Sequence, residues 1–312
     1  MSKLFIIGNG FDSAHCLATS YDEFRKYLCD TYMKGKSGEG YMLMVPNVTM
    51  GSKGEDICDM EDVAEFLVYL ISAAEPDGSK WSDLEASLGR LDYEEAFDML
   101  PEEFDDDGDI NYWRESYNNA DMASNLYTVV SYVKDLFAEW VDDIDIEIAK
   151  TKQGFLSLIE PGDIFLTFNY TETLEKVYGI NEANVCHIHG KQGGNILFGH
   201  GNTVDYTEEY MSKNIGSENA LSELDNFLKK DTKQALKEHK LFFDGIDDTI
   251  KEVYSIGFSF AEVDLVYIEE ICRKLSVDAV WHLNDFNPSD IPTFQTKLRK
   301  CGFRGRFATF SV

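Results

Sequence analysis

Four short stretches of the chain carry residues whose types and spacing could do chemistry. The first is Gly8-Asn9-Gly10-Phe11-Asp12, which directly follows an apolar run at residues 4–7. Small residues let backbone N–H groups approach a phosphate closely, and a helix starting there favours negative charge. In a chain of net charge -29, backbone donors are one means of holding a diphosphate. The third glycine of a dinucleotide fingerprint is missing, so a plain strand-to-helix turn stands beside this reading. The second stretch is Thr167-Phe168-Asn169-Tyr170-Thr171. Its Asn169 could hydrogen-bond a ribose hydroxyl or a water, or could cap the following helix. The third is His187-Ile188-His189-Gly190. Histidines two apart on a strand point to one face, so one of them could serve as a general base near neutral pH. No carboxylate or thiolate stands at familiar ligand spacing beside them, and no metal is expected. The fourth is Ser255-Ile256-Gly257-Phe258-Ser259, with Asp264 five residues beyond Ser259. It offers further backbone and hydroxyl donors, or an ordinary turn.

These residues need elements to bring them together. Each stretch ends an apolar run rich in β-branched or aromatic residues: 3–8, 163–168, 184–189 and 253–258, with a further run at 277–283. Helical periodicity lies between them at 20–32, 171–178, 218–238 and 264–275. Apolar strands alternating with helices predict a mostly parallel sheet covered on both faces, and such sheets bind ligands at the carboxyl ends of their strands. One pocket there could collect all four stretches.

The middle of the chain differs. Residues 35–54 are Gly/Ser-rich and aperiodic, which predicts a loop. Residues 60–74, 81–100 and 122–150 carry helical stripes, the clearest running through Leu126, Val129, Val130, Val133, Phe137 and Trp140. The acidic run 102–109 lacks the ligand alternation of a calcium loop and reads as a solvated loop. The expected organisation is therefore an α/β domain formed by residues 1–35 and 155–312, with a mainly helical insertion at 36–154.

Composition narrows the function. The chain has 312 residues, 28 Lys+Arg against 57 Asp+Glu, and is 44% hydrophobic. That apolar fraction is too high for an acidic disordered protein. The acidity argues against a nucleic-acid surface, since phosphates are repelled by carboxylates. The opening residues make a poor secretory signal, and the best internal apolar run, residues 66–74, is about half a membrane-spanning length. Six scattered cysteines without a CxxC pair predict reduced thiols. A soluble, cytoplasmic protein without membrane contact is expected.

The chain resembles the AbiH family of bacteriophage abortive-infection proteins. The resemblance rests on residues 5–15 (FIIGNGFDSAH), 19–24 (TSYDEF), 81–85 (WSDLE), 166–178 (LTFNYTETLEKVY), 185–190 (VCHIHG), 196–202 (ILFGHGN) and 255–264 (SIGFSFAEVD). AbiH proteins are in turn similar to sirtuin-like NAD-binding domains, which implies a Rossmann-like mostly parallel sheet with a large α-helical insertion. On that resemblance Gly8, Asn9 and Gly10 would hold the diphosphate, with Phe11 and Asp12 after them also part of the cofactor site. Asn169, with Thr167 ahead of it, would contact the nicotinamide ribose, and His189 before Gly190 would be the catalytic base. Gly257, Phe258 and Ser259 would complete the nucleotide site. The chain departs from the pattern at Thr171, where an acidic residue is usual, and lacks the zinc-binding cysteines of protein deacylases. NAD cleavage to nicotinamide and ADP-ribose is the activity implied. The rivals are a sensor that binds NAD or ADP-ribose without turnover, and a metal-dependent hydrolase or nuclease built on His187, His189 and His200. The partners expected are a small-molecule nucleotide and either a second copy of the chain or a phage-derived activator.

Overall fold

A computed structural model describes residues 2–33, 44–78 and 80–312. The 35–43 part of the expected loop lies outside the described residues. Eight strands are present among them: β1 (Leu4–Ile7), β2 (Thr49–Met50), β3 (Asp56–Ile57), β4 (Ile164–Thr167), β5 (Val185–His187), β6 (Glu252–Ile256), β7 (Val280–Asn284) and β8 (Arg306–Phe310). β2 and β3 form a small antiparallel hairpin. The other six make one parallel sheet in the order β5-β4-β1-β6-β7-β8. Numbered among themselves those strands run 3-2-1-4-5-6, the doubly wound order whose reversal falls between the first and fourth members. Here that reversal lies between β1 and β6.

The sheet explains why its strands read as unbroken apolar runs. In β1 every residue is buried. Leu4 and Ile6 enter one core with Leu166, Val253, Trp281, Leu283 and the helices Leu265–Lys274 and Ile291–Lys300. Phe5 and Ile7 point the other way, into a core with Phe11, Phe155, Phe165, Leu174 and Tyr254. Period-two alternation thus serves two cores, with helices on both faces. Phe5 stacks between Phe165 and Tyr254, with ring centroids 5.0 and 5.2 Å away. Burial of each such side chain contributes roughly 1.5–3 kcal/mol.

The chain forms two compact units. The first comprises residues 1–20, 141–197 and 231–312 and carries the sheet; the second comprises 21–140 and 198–230 and is mainly helical. Relative to the extents expected from sequence, 21–33 and 198–230 group with the helical unit and 141–154 with the sheet. The reason lies in aromatic packing. Phe24, on helix Tyr21–Thr31, meets Trp81, Phe137 and Trp140, and Phe198 stacks on Phe137 with centroids 3.8 Å apart. The core of the second unit is the helix Tyr112–Asp143, which buries the stripe from Leu126 to Val133. It begins ten residues before the helix read from the sequence and is followed by a short 3-10 turn, Ile146–Ile148. The helix expected over 81–100 is broken into Leu84–Leu88 and Glu94–Asp98, and that over 218–238 into Glu218–Leu228 and Thr232–Glu238. In the second case Asp231 interrupts the helix because its side chain accepts the Gln234 N–H as a new N-cap. No helix among the described residues is long and apolar enough to cross a membrane.

Candidate functional site

The turn after β1 and the turn after β6 are packed backbone to backbone. The Gly8 N–H donates to the Ile256 carbonyl at 3.0 Å, and the Gly10 N–H donates to the Gly257 carbonyl at 2.9 Å. A Cβ on Gly8 would lie 2.5 Å from the Gly257 oxygen, and one on Gly10 would lie 2.7 Å from the Gly257 Cα. The glycines are needed for this close approach. The donors that the sequence reading assigned to a diphosphate are therefore, at Gly8 and Gly10, committed to protein carbonyls. Gly8 is buried beneath this contact, and Gly10 is exposed beside it. Asn9 opens the six-residue helix Asn9–Ala14 and is exposed, whereas Phe11 and Asp12 on that helix are buried.

A cavity of about 430 Å³ opens at this reversal, over the carboxyl ends of β1, β6 and β7. Gly10, Phe11, Gly257, Phe258 and Ser259 all line it. The sequence reading missed other parts of its wall. Lys152 supplies a cation, Asn284 ends β7, and Phe286, 94% exposed, stands at the rim. Lys152 carried no local signal, because it comes from a segment without periodicity. His15 also lines the wall; its Nδ1–H donates to the Phe11 carbonyl at 2.7 Å and its Nε2 accepts from the Tyr178 hydroxyl at 2.5 Å. The Lys152 N–H donates to the Tyr178 oxygen at 3.0 Å, so this chain of bonds ties Lys152 to the first turn. Burial lowers the His15 pKa below its ordinary value.

A second group of polar residues is buried at the carboxyl ends of β1, β4 and β5. Thr167 closes β4 and its hydroxyl accepts the Asn169 N–H at 3.1 Å, which fixes the turn that carries Asn169. Thr171 Oγ1–H donates to Asp12 Oδ2 at 2.5 Å, and Thr173 Oγ1 lies 2.9 Å from Thr171 Oγ1. A carboxyl group thus meets Thr171, although it comes from the helix after β1. Asp12 is 1% exposed, and burial pushes its carboxyl up from 3.8 to about 6. Thr171, Thr173, the Asn169 amide and the nearby His187 act in the opposite sense and are outweighed. Asp12 Oδ1 and both polar atoms of the Asn169 amide are buried without a hydrogen-bond partner, so Asn169 acts on Asp12 from close by rather than through a well-formed bond. Orphaned buried polar atoms are costly, and functional sites are where they persist.

The two histidines separate. Strand pairing ends at His187, and His189 lies in the turn beyond, so strand alternation does not govern both side chains. His187 sets Nε2 2.8 Å from Glu175 and Nδ1 3.3 Å from the Asn169 carbonyl. His189 Nε2 is 3.3 Å from Asp264 Oδ1, in a setting of Phe168, Tyr170 and Tyr267 rings. The sequence hinted at Asp264 only through its place after Ser259. His189 is 2% exposed and does not line the cavity. Phe168 joins the two regions: its ring is 4.3 Å from Phe258 in the cavity wall and 5.2 Å from His189. His200 belongs to the helical unit, where Nε2–H donates to the Asp225 carbonyl. Among the described residues no group of three or more His, Cys, Asp or Glu side chains is arranged to hold a metal ion.

Asp12 makes a stability prediction with a definite sign. Its folded pKa lies above 3.8, so the native state binds the proton more tightly, and its contribution to stability is lost as pH rises through about 6. At pH 8 the buried charge costs about 3 kcal/mol, from a shift of roughly two units at 1.36 kcal/mol each. Asp12→Asn, which has no proton to lose, is expected to unfold at higher urea than wild type at pH 8, with the gap closing toward pH 4. Parallel pH profiles for the two proteins would show that Asp12 is not the group held protonated.

Fold and cavity together define a doubly wound α/β protein with a ligand-sized cavity at the switch point of its sheet. The family model for bacteriophage abortive infection, AbiH, matches residues 4–285. The chain belongs to the AbiH family, and that membership places it among proteins of phage abortive infection. No curated protein and no solved structure matches it.

Proposed function

We propose that the chain acts in antiphage defence by hydrolysing NAD to nicotinamide and ADP-ribose. The observation that carries this reading is the cavity at the reversal between β1 and β6, walled by Gly10, Phe11, Gly257, Phe258 and Ser259. Its volume is within the usual range for small-molecule sites, and its wall mixes aromatic faces with a few polar groups. In this reading the adenosine end lies against Phe286 and Phe294, and Lys152 offsets diphosphate charge. The nicotinamide ribose is directed toward the Asn169 amide and Asp12, buried behind the cavity wall, whose orphaned atoms would give a hydroxyl or carboxamide both a donor and acceptors. Cleavage breaks the ribose–nicotinamide bond, and nicotinamide leaves with the bonding pair. Positive charge develops on the ribose as in glycoside hydrolysis, and water adds its oxygen at the same carbon. His189 takes the proton released from that water or from a ribose hydroxyl, and Asp264 steadies the imidazolium that results. No metal enters this scheme.

Burial of His189 favours a second reading, in which the protein binds NAD or ADP-ribose without turnover, as a sensor that signals through its helical part. One assay separates them. Purified protein is incubated with NAD, alone and with extract from phage-infected cells, and free nicotinamide and bound nucleotide are both measured. Nicotinamide release in either condition is the expected result. Saturable NAD binding without release in both conditions assigns the chain to sensing, and neither binding nor release removes the nucleotide reading altogether.

A further inference from the structure

The helical unit contains a cavity of its own, about 220 Å³, between helices Glu94–Asp98, Thr207–Lys213 and Glu218–Leu228. The dinucleotide reading leaves it without a role, along with the ILFGHGN segment that frames it. Asn202 in that segment donates to the Gly89 carbonyl at 2.5 Å and to the Tyr206 hydroxyl at 3.0 Å. A Cβ on Gly89 would lie 3.0 Å or closer to His200 and Asn202, so the segment is held hard against this wall. We propose that this cavity binds a small organic cation, an alkylammonium or alkylguanidinium group, held by Asp225 and enclosed by Tyr93, Tyr206 and Tyr210.

Three observations lead there. The first is aromatic lining: Tyr93, Tyr206 and Tyr210 all stand in the cavity wall, and aromatic surroundings attract cationic headgroups. The second is charge. Asp92, Glu94, Glu209 and Asp225 line the cavity against Arg90 and Lys213, a wall that stays acidic at Asp92 and Asp225 after Lys213 has paired with two of its four carboxylates. Lys213 pairs with Glu94 and with Glu209, and Arg90 donates to the Ala74 carbonyl and to Ser87. The Asp225 carboxylate accepts the Tyr210 hydroxyl at 2.9 Å, and its partial burial raises its pKa despite the opposing pull of Lys229, a cost that a bound cation would relieve further. The third is the Tyr93 hydroxyl, which is buried on a side chain 4% exposed and has no hydrogen-bond partner. It offers a ready acceptor for an N–H donor. The volume suits a headgroup rather than a nucleotide, so the site is independent of the one at the sheet.

The test is calorimetric titration of the full chain with agmatine, with glutarate as an anion of similar length. Saturable agmatine binding without glutarate binding is expected. Asp225→Asn should weaken it about tenfold or more, by loss of a charge-assisted contact. Tyr93→Phe keeps the ring and should weaken it severalfold; should Asp225→Asn fail to fold, this variant decides. Asp106→Asn, in the exposed acidic loop, should change nothing. Absence of binding to wild type, equal binding of glutarate, unchanged affinity in the folded cavity variants, or an equal loss in Asp106→Asn would each overturn the site.

Discussion

His189→Ala is expected to fold yet consume NAD about a hundred- to ten-thousandfold more slowly than wild type, the usual cost of losing a general base. The substitution also removes the partner 3.3 Å from Asp264 and leaves a gap among the Phe168, Tyr170 and Tyr267 rings. Some stability is lost with it, as commonly follows truncation of a buried side chain. Circular dichroism and a thermal melt therefore accompany the assay, and His189→Gln serves as a variant closer in volume. If folded His189→Ala hydrolysed NAD at the wild-type rate under conditions where wild type is active, the base would have to be sought elsewhere. The catalytic reading would then lose its central residue.

Gly257→Ala should be among the most damaging single-methyl additions in the sheet-bearing unit. Gly257 has φ +62, and a Cβ there would lie 2.2 Å from the Phe11 nitrogen and 2.5 Å from the Gly10 carbonyl carbon. Both neighbours are backbone, so neither can swing aside. The left-handed conformation costs roughly 1–2 kcal/mol for an alanine, and overpacking commonly adds about 1–3. Against a typical stability of about 5–15 kcal/mol, that is a large share. A fall in melting temperature of about 10 °C is expected by the usual scaling for domains of this size. Gly179→Ala is the control, because Gly179 has φ +66 with nothing within 4 Å of its Cβ position and should show the backbone cost alone. Equal melting temperatures for the two variants would mean that the turns after β1 and β6 can separate freely.

The strands β4, β5, β6 and β7 could be read from sequence because each is a short apolar run between turn residues, and β1 from its apolar run before Gly8. β8 escaped notice. Its strand Arg306–Phe310 is an edge strand with no fully buried residue, so it lacks the apolar signal of its neighbours. Residue types also announced the ends of β1, β4, β5 and β6 as places for chemistry, but partnerships across the fold did not show. Asp12 was visible as part of a turn, whereas its meeting with Thr171, 159 residues away, is set by the pairing of β1 with β4. The spacing of His187 and His189 implied one face, and the strand's end at His187 sent them to Glu175 and Asp264 instead. Lys152 could not be found at all without the fold, since only tertiary structure brings it to the cavity.

The placing of β1 has a consequence for how the protein is made. β1 leaves the ribosome before the other described strands, and the partners on its two edges are residues 164–167 and 253–256. At bacterial or eukaryotic synthesis rates of about 5–20 residues per second, the strand waits roughly 10–50 s for its second neighbour. Until then the turn after β1 has no Gly257 to close against, and the cavity between β1 and β6 has only one side. In a nascent chain the cavity is thus incomplete until β6 has emerged. Under the proposed reaction, which would exhaust the cell's own NAD, late assembly of the central crevice would act as a safeguard set by the strand order.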